Sequence, residues 1–327
     1  MHSEKLIYID DTLPGIRRKG AGKGWAYYDA KGVLIRDRAE KARLNAVALP
    51  PAYSDAWFCP APNGHILATG YDDKGRKQYR YHPEFRAMKE REKFDGCAVF
   101  GELLPLLRKR VDEDIQMSGI RCTRVIASVV RLLDRGFVRV GNDVYARENK
   151  SYGATTLKQR HASVDGAEIH LHYRGKSGQD RAIELRDDAL SEVVSELQDL
   201  PGQDLFQYIG DDGARHPIGS SDVNTYIRET MGEDFTAKMF RTWHASVLGF
   251  TMAYDANGEL TIAAMLEEVS ARLGNTPAVT RSSYIHPDII AALGGDKPSF
   301  STAALPRKTR YQSRYERGLI EFLTGAA

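Results

Sequence analysis

Hydrophobic positions change rhythm near residue 90. Upstream they form short runs between turn residues. Trp25–Tyr28 and Val33–Ile35 flank Asp29-Ala30-Lys31-Gly32 and predict a hairpin. A short helix is predicted over Asp37–Val47, ended by Leu49-Pro50-Pro51. Ala56–Cys59 and His65–Ala68 predict strands around Pro60–Gly64, and Asp72-Asp73-Lys74-Gly75 turns the chain into a strand at Gln78–Tyr81.

From about residue 92 the period becomes helical. Between Cys122 and Leu133, apolar side chains recur at Val125, Ile126, Val129, Val130 and Leu133, one face of a helix. Val138–Val140, Thr155–Leu157 and Glu168–Arg174 predict strands, the last with Ile169, Leu171 and Tyr173 on one face. Gly175–Gly178 is a turn, and Arg181–Leu185 returns as the partner strand. Further helices are predicted over Asp188–Leu197, Asp222–Met231, Lys238–Ala253 and Thr261–Leu273, the last capped by Thr261 and stopped by Gly274. The expectation is an α+β chain: a small β-rich domain over residues 1–90, a linker near 85–95, and a larger, mainly helical domain with a small antiparallel sheet over 91–327.

Composition narrows the class. A chain of 327 residues with 42% hydrophobic and 28% charged residues can bury a core without staples. Cys59, Cys97 and Cys122 are odd in number and form no CxxC pair, which argues against a disulfide framework or a zinc site. No apolar run approaches the roughly 20 residues of a membrane span, and Met1–Lys5 carries no signal-peptide core. A cytoplasmic protein is expected. The net charge is only +2, but the basic residues cluster. Lys74–Arg91 holds seven of them against two acids, and Arg307–Arg317 holds five against Glu316. Arg17-Arg18-Lys19 is a third cluster. Basic patches on a near-neutral chain fit a polyanion partner, or simply a solvated charged face.

Familiar nucleotide and metal motifs fail on inspection. Gly175-Lys176-Ser177 resembles the end of a phosphate-binding loop, but His170 stands where that loop needs its first glycine. Gly20-x-Gly22-x-Gly24 lacks the flanking strand and helix of a dinucleotide fold. His170 and His172 share a strand face without an evident third ligand.

Three spans carry chemistry together: Phe137–Tyr145 closing with Tyr152–Lys158; Tyr173–Gly178; and Phe240–Ser246 running on to Leu273–Pro277 and Arg281–Tyr284. They hold what phosphodiester transfer without a metal requires. A tyrosine hydroxyl can attack phosphorus and store the bond covalently. Arginine stays charged and grips non-bridging oxygens with a planar fork. An amide can donate as an oxyanion-hole group does. A lysine can protonate the leaving alkoxide.

In order and spacing these spans resemble type IB DNA topoisomerases of the compact poxvirus and bacterial class. Upstream the resemblance is carried by Pro14–Arg18, Pro50–Tyr53 with Trp57, Asn63–His65, Ala68–Gly70 and Gly75–His82. It implies the catalytic fold shared with tyrosine recombinases. It matches Tyr284 to the nucleophile of a 3′-phosphotyrosyl link, Lys176 to the general acid, and Arg139 and Arg241 to the two catalytic arginines. Arg135 and Arg147 are the alternatives to Arg139. Asn275 stands where poxvirus and nuclear enzymes carry histidine, and is kept as a neutral transition-state donor. The resemblance further implies relaxation of supercoiled duplex DNA by one monomer acting on the nucleoid. ATP is not used, and a divalent cation is not required, though one can stimulate. Arg76, Lys77, Gln78, Tyr79, Arg80 and Tyr81 are expected on DNA, with Arg17 and Arg18 as weaker candidates and the tail after Arg307 adding salt-sensitive affinity. Trp25, Trp57 and Trp243 read as core, and His244 as support for its helix. A tyrosine recombinase is the nearest alternative, but Lys238 occupies the place of the His in its His-x-x-Arg box. A non-catalytic DNA-binding protein is the other.

Overall fold

The computed structural model of the chain describes residues 5–22, 24–256, 259–295 and 304–325, with the side chains of 90, 91 and 93 outside that description. The expectations for Met1–Glu4 and the Arg91 side chain therefore lie outside the described residues. The chain divides into two compact units, Met1–Lys93 and Phe94–Ala327.

The first unit is built on an antiparallel sheet of β1 (Ile16–Ala21), β2 (Gly24–Tyr28), β3 (Ser54–Phe58), β4 (Ile66–Tyr71) and β5 (Lys77–Tyr81), in the order β2-β1-β3-β4-β5. Helix α1 (Arg38–Ala46) starts where Asp37 accepts the Glu40 N–H at 2.7 Å, a cap worth about 1 kcal/mol. Ile16, Tyr27, Leu44, Phe58 and Ala68 form the core. β2 pairs along its length with β1, a partner not predicted from the sequence pattern, while the predicted return is short: a Tyr28–Leu34 bridge with Ile35 N–H to Tyr27 O and Asp29 N–H to Val33 O, each 2.9 Å. Asp29 accepts the Lys31 and Val33 N–H groups, making a loop too tight to continue as a ladder. β1 was not expected as a strand because Arg17, Arg18 and Lys19 hide its alternation.

The boundary between the units, at Lys93/Phe94, falls within the stretch near 85–95 expected to link the domains, and that stretch is helical, part of α2 (Pro83–Ile115). The second unit continues through α3 (Cys122–Gly136) and α4 (Asp143–Asn149). A sheet follows, β6 (Ala162–Asp165), β7 (Glu168–Arg174) and β8 (Asp180–Arg186), antiparallel in the order β6-β7-β8. Ile169, Leu171 and Tyr173 are all buried. Next come α5 (Asp188–Gln198), the pair β9 (Gln207–Ile209) and β10 (Arg215–Pro217), and α6 (Ser220–Met231). The C-terminal part holds α7 (Lys238–Asp255), α8 (Ile262–Leu273), α9 (Pro277–Ser283), α10 (Pro287–Leu293) and α11 (Arg314–Thr324). One core runs through this unit, with Phe100, Leu132, Phe206, Phe240 and Trp243 among its buried side chains.

Two strand predictions are corrected. Val138–Val140 is extended but in no strand, and Ala154–Thr156 forms a 3-10 turn. The two segments do meet, through Ala154 N–H to Arg139 O at 2.8 Å and Thr155 N–H to Val140 O at 2.7 Å. Gly153 N–H then bonds the Thr156 hydroxyl, which curls the chain before a ladder forms. The basic stretch after Arg307 leads into α11. Ser313 and Glu316 form a capping box, and α11 packs on α7 with Leu319 fully buried.

Candidate active site

The site grows from the ends of several elements. α3 ends on Phe137, a non-glycine residue with φ of 55°. That left-handed corner sends the chain into the extended segment carrying Arg139. The β7–β8 hairpin, in register as Tyr173 opposite Arg181, lifts Lys176 to its exposed tip. α7 carries Arg241 on a buried face, at 3% exposure. α8 ends at Gly274, in the left-handed conformation, with Asn275 N–H returning to Ser270 O at 3.0 Å. Thr276 caps α9 and Pro277 starts it, and α9 ends on Tyr284.

A buried guanidinium needs acceptors. Arg241 Nη1 donates to Phe137 O at 2.6 Å and Nη2 to Leu273 O at 2.8 Å, which fixes the group in one orientation. Its carbon lies 5.0 Å from the centre of the Tyr284 ring. Arg139 donates to the Asn275 side-chain oxygen and, at 3.5 Å, to Gly274 O. Ser246, also on α7, donates to Tyr284 O at 3.3 Å and accepts His286 N–H at 3.0 Å, so one helix positions both Arg241 and the Tyr284 backbone.

The cluster is electropositive. Burial, and then the charge of Arg139, push Arg241 down to about 10. Burial alone would raise the Tyr284 hydroxyl, but the charge and hydrogen bond of Arg241, with Arg139 and Lys176 beyond, hold it below the ordinary phenol value. Arg241 Nε and Asn275 Nδ2 are buried donors without a protein partner. Such donors are costly unless a ligand satisfies them. Tyr284, Arg139, Arg241, Asn275 and Lys176 are thus brought together, whereas Arg135 pairs with Asp187 at 2.8 Å. Sequence reasoning assigned no role to Ser246, Tyr173 or Arg181. Tyr173 is buried beside Arg181, Arg241 and Arg139.

A family model described as the catalytic core of eukaryotic DNA topoisomerase I matches residues 82–288, and one for the N-terminal domain of bacterial DNA topoisomerase IB matches 24–72. DNA topoisomerase 1B of Acanthamoeba polyphaga mimivirus is 32% identical over 287 residues, covering 84% of this chain and 85% of its own. The chain belongs to the type IB DNA topoisomerase family. DNA topoisomerase 1B of Vaccinia virus (strain Copenhagen) is 22% identical over 231 residues, 69% of this chain and 71% of its own. A solved XerH site-specific recombinase bound to a palindromic difH substrate overlaps 56% of this chain and 47% of its own, at 18% identity and a TM-score of 0.38, too partial a likeness to bear on the fold. The enzyme is therefore an isomerase whose substrate is DNA. No helix among the described residues is long and apolar enough to cross a membrane.

On the first unit of this topoisomerase, Tyr79 and Tyr81 lie on one face of β5, stacked with ring centres 5.7 Å apart and planes 8° from parallel. Both are exposed. Lys77 pairs with Asp11 at 2.7 Å, Arg76 with Asp72 at 2.7 Å, and Gln78 donates to Asp72 at 3.0 Å. Arg80 is exposed and donates to Ala48 O at 3.2 Å. Neighbours on β1 alternate: Arg17 faces solvent, while Arg18 lies 4.0 Å over Trp25 and donates to Leu49 O and Pro50 O at 2.7 and 2.8 Å. Arg18 is a structural strut of this unit. Trp57 and Trp243 are buried, and Trp25 is half-buried under Arg18.

Proposed function

We propose that the enzyme relaxes supercoiled duplex DNA by reversible cleavage of one strand through a 3′-phosphotyrosyl intermediate at Tyr284. The Tyr284 oxygen attacks the scissile phosphorus, and the bond to the 5′ oxygen breaks. The phenol proton passes to solvent water as the P–O bond forms, to be regained from water when Tyr284 leaves in religation, and Lys176 protonates the departing 5′ alkoxide. Arg139 and Arg241 grip the non-bridging oxygens, and Asn275 donates from its amide. In religation the 5′ hydroxyl attacks, Lys176 takes back the proton and Tyr284 leaves. The phosphotyrosyl bond conserves the energy of the broken one, so neither ATP nor a required metal ion enters the balance. One chain supplies all five groups, which favours a monomer.

The observation that carries this reading is the pair of unsatisfied buried donors, Arg241 Nε and Asn275 Nδ2, among like-charged arginines beside a tyrosine held below its ordinary pKa. A tetrahedral anion bound there relieves both the missing hydrogen bonds and the mutual repulsion. The test is relaxation of negatively supercoiled plasmid in excess EDTA without ATP, wild type against Tyr284→Phe. Relaxation by wild type alone is expected. Equal relaxation by Tyr284→Phe overturns the nucleophile assignment, and binding without relaxation by either overturns the proposed chemistry.

A further inference from the structure

Four consecutive residues at the end of α8 receive arginines from three different elements. Arg181 Nη2, from β8, donates to Arg272 O at 3.0 Å. Arg241, from α7, donates to Leu273 O at 2.8 Å. Arg139, from the segment after α3, reaches Gly274 O at 3.5 Å and the Asn275 side-chain oxygen. The last carbonyls of a helix have no intrahelical partner and carry its negative dipole end, so they are good seats for cations. Two of these arginines belong to the proposed cleavage chemistry. Arg181 does not, yet its contacts bear on the same corner.

Gly274 sits at φ of 61°, and a Cβ there would collide with the Arg181 guanidinium. The missing side chain is the space that Arg181 fills. Arg181 also lies beside the buried Tyr173, where its charge opposes the upward push of burial on that hydroxyl, and its charge adds to that of Arg139 in disfavouring the protonated Arg241. Arg181 is half-buried, on a strand rather than in the apolar core.

We propose that Arg181 is a positioning residue for strand cleavage: it clamps the Arg272–Asn275 corner so that Asn275 and the Arg139 it holds meet the scissile phosphate in register. The inference rests on the reading of Tyr284 as nucleophile. It accounts for how a neutral amide serves at this position. Asn275 has no charge of its own to draw it to phosphate, so its placement has to come from the corner it stands on. A displacement of about 1 Å in such a group costs up to ~10²-fold in rate.

The experiment is single-turnover cleavage of a suicide duplex by the full chain, with affinity measured separately on an uncleaved duplex. Wild type, Arg181→Ala, Asn275→Ala and the double variant are compared, with Tyr284→Phe as control. Arg181→Ala is expected to slow cleavage at saturating DNA by roughly tenfold to a hundredfold, with affinity within about twofold of wild type. In the Asn275→Ala background the same substitution is expected to cost less than about threefold, because the group it positions is gone. Full loss in both backgrounds overturns the inference, since Arg181 then acts independently of Asn275. So does a loss of affinity that saturating DNA restores, which makes Arg181 a DNA contact. An unchanged cleavage rate in Arg181→Ala overturns it while leaving the Tyr284 reading intact. Absence of a covalent adduct with wild type overturns that reading itself, and the inference with it.

Discussion

The Arg241 guanidinium carbon lies 5.0 Å from the centre of the Tyr284 ring, and the two groups pull each other's protonation in opposite directions. The cation favours the phenolate; burial opposes it. With Arg241 present the net effect places the hydroxyl below its usual value near 10. Cleavage under single-turnover conditions should therefore rise with pH as Tyr284 deprotonates, with a midpoint below 10. In Arg241→Ala only burial and the more distant Arg139 and Lys176 remain, so the midpoint should move to higher pH. The rate below it should fall by about 10²–10³, the scale of losing one oxyanion donor. A pH–rate profile of both proteins checks this. An unmoved midpoint would show that Arg241 does not govern the proposed nucleophile.

Arg139 is engaged before substrate arrives, by the side-chain oxygen of Asn275. That pairing is neutral and exchangeable, so a phosphate can take Arg139 over while the Asn275 amide group donates. A carboxylate at this position would hold Arg139 as an ion pair and repel the phosphate. Asn275→Asp should thus cleave more slowly than Asn275→Ala, even though it preserves size and the contact to Arg139. Rates for the two variants, measured at saturating DNA, decide the matter. The reverse order would mean that Asn275 serves only to fill space.

How much of this was legible in the sequence depends on the distance over which each residue finds its partner. The Val125–Leu133 stripe, the alternation of Ile169, Leu171 and Tyr173, and the Thr261 cap are local signals, and each produced its element. α2 was not read at full length because Gly96, Gly101 and Pro105 interrupt its pattern. Gly101 is there for a tertiary reason, since a Cβ at that position would strike the Trp243 ring. Arg181 finds its carbonyl acceptor 91 residues away, and Arg241 reaches Phe137 O across 104. No periodicity encodes such pairs. The ordered motifs carried the candidate nucleophile, while the corner it works beside had to be seen folded.

Arg17 and Arg18 are adjacent basic residues with different prospects. Arg17 is exposed, with a long 3.5 Å hydrogen bond to Asp55 O, whereas Arg18 is committed to Trp25, Leu49 and Pro50. Arg17→Ala should weaken DNA binding and reduce the slope of log affinity against log salt by about one. Arg18→Ala should leave that slope unchanged and instead lower the stability of the first unit by roughly 1–3 kcal/mol, through lost hydrogen bonds and ring contact. Salt titration of binding and thermal unfolding of both variants separate the two roles. A reduced slope for Arg18→Ala would place Arg18 on DNA after all.

The C-terminal helix enters the second unit through charge as well as packing. Glu316 and Asp134 both bind Arg108, at 2.8 Å each, and Asp134 also meets His244 at 3.2 Å. Burial alone would raise both carboxyls, but Arg108, joined at Asp134 by the His244 hydrogen bond, holds both below the ordinary carboxylate range. A depressed folded-state pKa contributes stability that is present above the unfolded value, near 4, and is lost as pH falls through the folded one. Acid should therefore unfold this unit progressively below about pH 4–5. Glu316→Ala leaves Arg108 with one carboxylate fewer in a buried setting, at a cost of about 3–5 kcal/mol. For a unit of this size that is a fall of roughly 10 °C in the unfolding temperature at neutral pH. Glu316→Gln keeps an acceptor and should lose less, but it removes one titrating group, so its stability should fall less steeply with acid than that of wild type. Calorimetry of the full chain from pH 7 to pH 3 tests both statements. Parallel acid profiles for wild type and Glu316→Gln would show that the tail is held by Leu319 and its apolar neighbours alone.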